Sequence, residues 1–128
     1  MVKVLIDTSF LIKCAEYGID IFDQVQKVVD SNVEFCVIKG TAQELDAVEP
    51  GGGKMKTAVR VARLFLKKMS VLVPKEEGLV DDLIVDYASH HKGVIVATHD
   101  TLLKKRVLAL PCPVIILRQR KYAQLVLP

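Results

Sequence analysis

Tryptophan is missing from this chain and aromatic residues make up only 5% of it. A nucleic-acid surface built mainly on base stacking is therefore not expected. Cysteine is scarce as well. Cys14, Cys36 and Cys112 are odd in number and have no close pair, which argues against a disulfide framework and against a zinc knuckle. They read as free, mostly buried thiols. No apolar run is long enough to span a bilayer. The first residues lack the basic, apolar and small-residue order of a signal peptide, because Asp7 interrupts them early. A cytoplasmic protein with no membrane partner is the default expectation.

Nor is there a large excess of one charge. The net value of +3 says less than its distribution. Lys54, Lys56, Arg60, Arg63, Lys67 and Lys68 cluster, as do Lys104, Lys105 and Arg106, and Arg118, Arg120 and Lys121. Such groups attract a polyanion, and they serve equally well as solvated helix faces. What remains is ordinary for a globular chain. With 128 residues, 51% hydrophobic and 26% charged, it is read as one domain over 1–128 with a real core.

The order of elements is more telling. Residues 2–6 are apolar except for Lys3 and predict a strand. Phe10, Leu11, Ile12 and Ala15 predict a short helix stopped by Gly18, and Asp20 a cap for a second helix. Strands are expected at 34–38, 71–73, 94–98 and 114–117, with helices at 42–48, 55–69, 80–91 and 101–108. The triplet Gly51-Gly52-Gly53 is expected to end the 42–48 helix sharply as a turn, and the tail beyond 117 shows no strong pattern. Apolar strands alternating with helices imply a parallel sheet covered on both faces. The expected fold is a three-layer α/β/α sandwich on a parallel sheet of four to five strands.

Sites in such folds form outside the carboxyl ends of the strands. Asp7 follows the first strand, Asp100 follows the 94–98 strand, and Asp81 and Asp82 open the helix after the 71–73 strand. Glu44 lies one turn into a helix that also follows a strand. Gathered carboxylates repel one another unless a cation offsets the charge. An all-oxygen donor set selects a hard ion such as Mg²⁺ or Mn²⁺, whose chemistry is attack of water on a phosphodiester. Each acid also has a plain structural role open to it, since Asp7, Asp81 or Asp82, and Asp100 can all cap helices. Gly51-Gly52-Gly53-Lys54 lacks the spacing of a phosphate loop. Ser9 has no histidine placed for a hydrolase triad, and His90 and His91 belong to a helix end.

The stretches Ile6-Asp7-Thr8-Ser9-Phe10-Leu11, Gln43-Glu44-Leu45, Asp81-Asp82-Leu83-Ile84 and Ala97-Thr98-His99-Asp100 resemble, in order, the acidic motifs of PIN-domain ribonucleases. The segment from Asp100 through Leu110-Pro111-Cys112-Pro113 to Arg120-Lys121-Tyr122 is similar, more narrowly, to the PIN nuclease of the small-subunit processome. Toxin nucleases of toxin–antitoxin pairs share the acidic motifs alone. The resemblance implies a metal-dependent endoribonuclease acting on RNA, with precursor ribosomal RNA as the favoured substrate. It implies Asp7, Glu44, Asp81 and Asp100 as catalytic acids and Asp7, Asp81, Asp82 and Asp100 as metal ligands, Asp82 being the alternative to Asp81. Leu102 stands where many family members carry a further acid, so one or two ions remain open. Thr8, Ser9 and Thr98 are candidates for substrate or ligand contact by hydroxyl. Lys54, Lys56, Arg60, Arg63, Arg118 and Arg120 are candidates for RNA phosphates. A homodimer is expected by analogy with the fold. A non-catalytic RNA-binding subunit is the competing reading, and a phosphate-accepting receiver domain lacks its second acidic pair.

Overall fold

The computed structural model describes residues 1–128 apart from the side chain of Pro50. The strands are β1 (Val2–Ile6), β2 (Val33–Ile38), β3 (Ser70–Leu72), β4 (Ile95–Ala97), β5 (Val114–Arg118) and β6 (Tyr122–Val126). The helices are α1 (Thr8–Tyr17), α2 (Ile21–Val28), α3 (Thr41–Val48), α4 (Gly53–Leu66), α5 (Val80–His90) and α6 (Thr101–Leu108). One sheet runs in the order β3-β2-β1-β4-β5-β6. All pairings are parallel except β5 with β6. The expected three-layer sandwich is present, with five parallel strands and one antiparallel addition.

Strand alternation explains the two covered faces. Val4 and Ile6, Val37, Ile95 and Ala97, and Ile115 point toward α1, α2 and α4, where Phe10, Leu11, Ile21, Val25, Val59 and Ala62 complete one core. Leu5, Cys36, Ile38, Val96, Val114 and Ile116 point the other way, against Val80, Ile84 and Ala88 of α5 and Leu103 and Val107 of α6. Because both faces are buried, the strands read as continuous apolar runs rather than alternating ones.

Local signals set the helix ends. Gly18 takes a left-handed conformation (φ 68°) and closes α1, which a residue without Cβ does at least cost. Asp20 caps α2 by accepting from the N–H groups of Phe22 and Asp23 at 3.1 and 3.2 Å. Asp20→Ala should lower stability by about 1 kcal/mol, read as a fall in the thermal midpoint of a few degrees.

Two expectations are corrected. The 42–48 helix ends at Val48 as expected, but the glycines beyond it are not a plain turn. Glu49–Gly51 forms a 3-10 turn and α4 begins at Gly53; Gly52, at φ 104°, carries the bend between them. The tail is not patternless either, because Tyr122–Val126 pairs with β5 in the register Ile116↔Gln124. The free edge of β5 supplies the hydrogen-bonding partners, and Ala123 N–H donates to Gln24 Oε1 of α2 at 3.0 Å.

A candidate carboxylate centre at the sheet edge

Strand order reverses between β1 and β4, since the chain runs outward to β2 and β3 on one side and to β5 on the other. Such a switch point opens a crevice at the carboxyl edge. Asp7 and Asp100 follow the two strands that flank it.

Asp7 is 3% exposed, which for a carboxylate demands hydrogen bonds. Its Oδ2 accepts from Ser9 Oγ at 2.6 Å and from Thr98 Oγ1 at 2.8 Å. Although it stands at the N-cap position of α1, its side chain makes no capping bond. The two hydroxyls instead aim the carboxylate into the crevice. Ser9 Oγ also accepts from the His99 N–H at 3.0 Å, and Thr98 Oγ1 from the Asp100 N–H at 3.0 Å. These bonds lock the loop after β4 onto the start of α1.

Asp100 takes the capping role the sequence leaves open to it. Its Oδ1 caps α6 by accepting from Leu102 and Leu103 N–H at 2.8 and 3.2 Å. That arrangement employs one oxygen of the pair. Glu44, half-buried on α3, accepts a hydrogen bond from the buried Thr8 hydroxyl. Gly40 lets α3 start close to α5, because its φ of 110° and the Val80 side chain, 3.2 Å from where a Cβ would stand, leave little room for a larger residue.

Asp81 faces this group. Burial, then the charges of Asp7, Asp100 and Glu44, push its carboxyl above the ordinary value, while Arg106 acts the other way. Four of the sequence-selected acids are thus close enough to feel one another. Asp82 is exposed and turns to α6, where its Oδ1 pairs with Arg106 Nη2 at 2.9 Å. Arg106 went unnoticed in sequence as a site residue; it belonged to a basic cluster whose partner could not be read without the helix packing. Among the described residues no three His, Cys, Asp or Glu side chains already form a coordination cage. Mutual repulsion favours that spread arrangement. The donor set itself is all oxygen, which suits a hard divalent ion that keeps several of its waters.

The cationic candidates divide. Arg63 is engaged by Asp46 at 2.6 Å and Glu49 at 2.9 Å, so it braces α4 against α3 and the following turn. Arg118 donates to Gln124 across the β5–β6 hairpin. Lys54, Lys56 and Arg60 are exposed on α4. Arg120 lies over the Tyr17 ring, its guanidinium carbon 5.5 Å from the ring centre. His99, beside Asp100, has its pKa lowered by burial and then by Lys13, with Glu16 acting the other way. His90 and His91 bond the carbonyls of Asp86 and Tyr87 at 2.8 Å, a helix-end role away from the acids. None of the described helices is long and apolar enough to cross a membrane.

A parallel α/β sheet with acids grouped at its carboxyl edge is shared by several classes of protein, and comparisons with known proteins narrow the choice. Residues 4–120 match the family described as PIN like domain, and the chain belongs to that family. It is 30% identical to Ribonuclease VapC4 of Methanocaldococcus jannaschii over 128 residues, covering 98% of this chain and 97% of that protein. It is 29% identical to the rRNA-processing protein fcf1 of Schizosaccharomyces pombe over 109 residues, 84% of this chain but 54% of that longer protein. The structure of the PIN domain endonuclease Utp24 superposes with a TM-score of 0.79 at 26% identity, covering 98% and 92% of the two chains.

Proposed function

We propose that this protein is a divalent-metal-dependent endoribonuclease whose centre is the carboxylate edge. The observation that carries the reading is Asp7: a buried carboxylate held by two hydroxyls, not spent on its helix, and facing a second acid whose pKa its charge helps to raise. A structural cap would not be built that way. Asp7, Asp81 and Asp100 would hold Mg²⁺ or Mn²⁺, as one ion or two. When bound, the ion supplies Lewis-acid polarisation of the phosphoryl oxygens and a more acidic water.

The chain's own residues do the rest. Ser9 and Thr98 fix the Asp7 carboxylate in one orientation. Glu44, steered by Thr8, takes the proton of the attacking water through its second oxygen. The new P–O bond forms as the ester P–O bond breaks, and the departing oxygen collects a proton. Burial of Val80, Leu83 and Ile84 sets the rotation of α5 that presents Asp81, and Arg106 only pairs with the exposed Asp82 beside it. Lys54, Lys56, Arg60 and Arg120 meet the RNA phosphates, so affinity should fall steeply with added salt.

Ribosomal-RNA processing is the favoured role, supported by the likeness to the rRNA-processing protein fcf1. A toxin-type nuclease with an antitoxin partner is the second reading. It is favoured by the end-to-end match with VapC4, in contrast with the longer fcf1. Co-purification with a small protein encoded beside this gene would select it.

The test is cleavage of a labelled RNA with Mn²⁺ by paired variants. Asp81→Asn should lose nearly all activity, while Asp82→Asn should stay within about fivefold of wild type, since it weakens only an exposed ion pair. Equal losses in both would contradict the assignment. Full RNA affinity with no cleavage under any metal would indicate a binding subunit instead.

A further inference from the structure

The turn joining β5 to β6 lies at the same carboxyl edge as the acids, because β5 runs parallel to β4. Gln119 and Arg120 at its tip both hold left-handed conformations, with φ of 54° and 56°. Three residues, 119–121, separate the paired Arg118 and Tyr122, and the Lys121 N–H closes the turn onto the Arg118 carbonyl at 3.0 Å. Two successive left-handed residues in a turn are normally Asn or Gly, and larger side chains carry a conformational cost there. The chain nonetheless places a glutamine and an arginine, and the outcome is visible: Arg120 folds back over Tyr17, the last residue of α1.

Tyr17 is half-buried and sits among site residues. Its ring meets the edge of His99 at 6.4 Å and 77°, one residue from Asp100. Lys13 Nζ is 5.6 Å from the ring centre. Beside it a cavity of about 520 Å³ is lined by Glu16, Tyr17, Lys54, Thr57 and Arg120. Arg120 is exposed, and its guanidinium carbon stands 5.5 Å from the ring centre. Its flexible stem can therefore swing aside.

We propose that Tyr17, with Arg120 and Lys54, forms a subsite for one unpaired nucleotide next to the scissile phosphate of a single-stranded RNA. The base stacks on the Tyr17 ring, and Arg120 and Lys54 grip the adjoining phosphate. His99 buttresses the ring from the metal side, so stacking sets which phosphate reaches the acids. In a chain so poor in aromatics a single platform at this spot acts on register more than on total affinity. This subsite rests on the nuclease reading.

The test uses the full chain and short single-stranded RNAs carrying 2-aminopurine at successive positions, bound with Ca²⁺ so that cleavage does not interfere. Wild type and Tyr17→Phe should quench the probe at one or two neighbouring positions. Tyr17→Ala should lose that quench, bind about tenfold more weakly, and raise KM in the Mn²⁺ reaction with kcat changed only a few-fold. Arg120→Gly should weaken binding too, yet unfold at a temperature a few degrees higher, because glycine accepts the left-handed turn. Should Tyr17→Ala fold, quench and cleave as wild type does, the subsite is overturned while the nuclease stands. Should wild type neither bind nor cleave these RNAs, both readings fall together.

Discussion

Asp7→Asn should reduce Mn²⁺-dependent RNA cleavage by roughly two to three orders of magnitude while leaving the fold and RNA affinity almost unchanged. The size follows from the several kcal/mol that a correctly held ion contributes to phosphoryl chemistry, at about 1.4 kcal/mol per factor of ten. The selectivity follows from geometry. Oδ2 accepts from Ser9 and Thr98, and an amide oxygen in the same place keeps both bonds. The substitution replaces only the other oxygen, the one with no capping role, by an NH₂ group that cannot bind a cation. Single-turnover cleavage and anisotropy binding on the same RNA would separate the two effects. Lost affinity together with lost cleavage would instead mean that Asp7 holds the fold of the edge.

Asp81→Asn should behave in the opposite sense on stability, and metal should reverse the order. Without a cation, burial and the charges of Asp7, Asp100 and Glu44 raise the Asp81 pKa. A carboxyl raised in the folded state is a cost at any pH above that raised value. The cost is relieved as pH falls through it, and is gone below the unfolded value near 3.8. As pH falls through that raised value toward 3.8, metal-free wild type should therefore gain a share of stability that Asp81→Asn lacks. At neutral pH without metal the variant should unfold at the higher temperature. With Mn²⁺ at a hundred times its dissociation constant, wild type gains about 2.7 kcal/mol, a rise of roughly 8–10 °C for a domain of this size. Asp81→Asn should gain almost none of it. Parallel melting curves at pH 4 and 7, with and without Mn²⁺, read all four conditions. If the variant were less stable than wild type without metal, the charge cluster would not be the source of strain at this edge.

Much of this arrangement is legible in the sequence, for reasons that also mark where legibility stops. β1 and β2 read clearly because both faces of each are buried, and α1 and α2 because Gly18 and Asp20 punctuate them. Asp7 and Asp100 could be placed at one edge because parallel strands put all their carboxyl ends on one side. β6 was not legible. Its five residues alternate too briefly, with Ala123 buried and Tyr122 and Gln124 exposed, and its turn carries no Asn-Gly signal. It is a strand because β5 offers an open edge. Telling Asp81 from Asp82 needed the rotation of α5, fixed by burial of Val80 and Ile84; the exposed pair of Asp82 with Arg106 follows from it. Arg63 shared a basic stripe with Lys56 and Arg60, but its partners Asp46 and Glu49 come near only once α3 and α4 pack. Tyr17 carried no sequence signal of its own; its meaning lies in His99 and Arg120, both far away along the chain.

The central claim is that Asp7, Asp81 and Asp100 together hold a divalent ion, and it is tested most directly by Mn²⁺ binding followed by electron paramagnetic resonance. Wild type and Asp82→Asn should bind one or two ions per chain, while Asp7→Asn and Asp81→Asn should lose at least one of them. Binding of the same stoichiometry and affinity in all four proteins, or none in wild type at millimolar Mn²⁺, would contradict a metal centre at this edge.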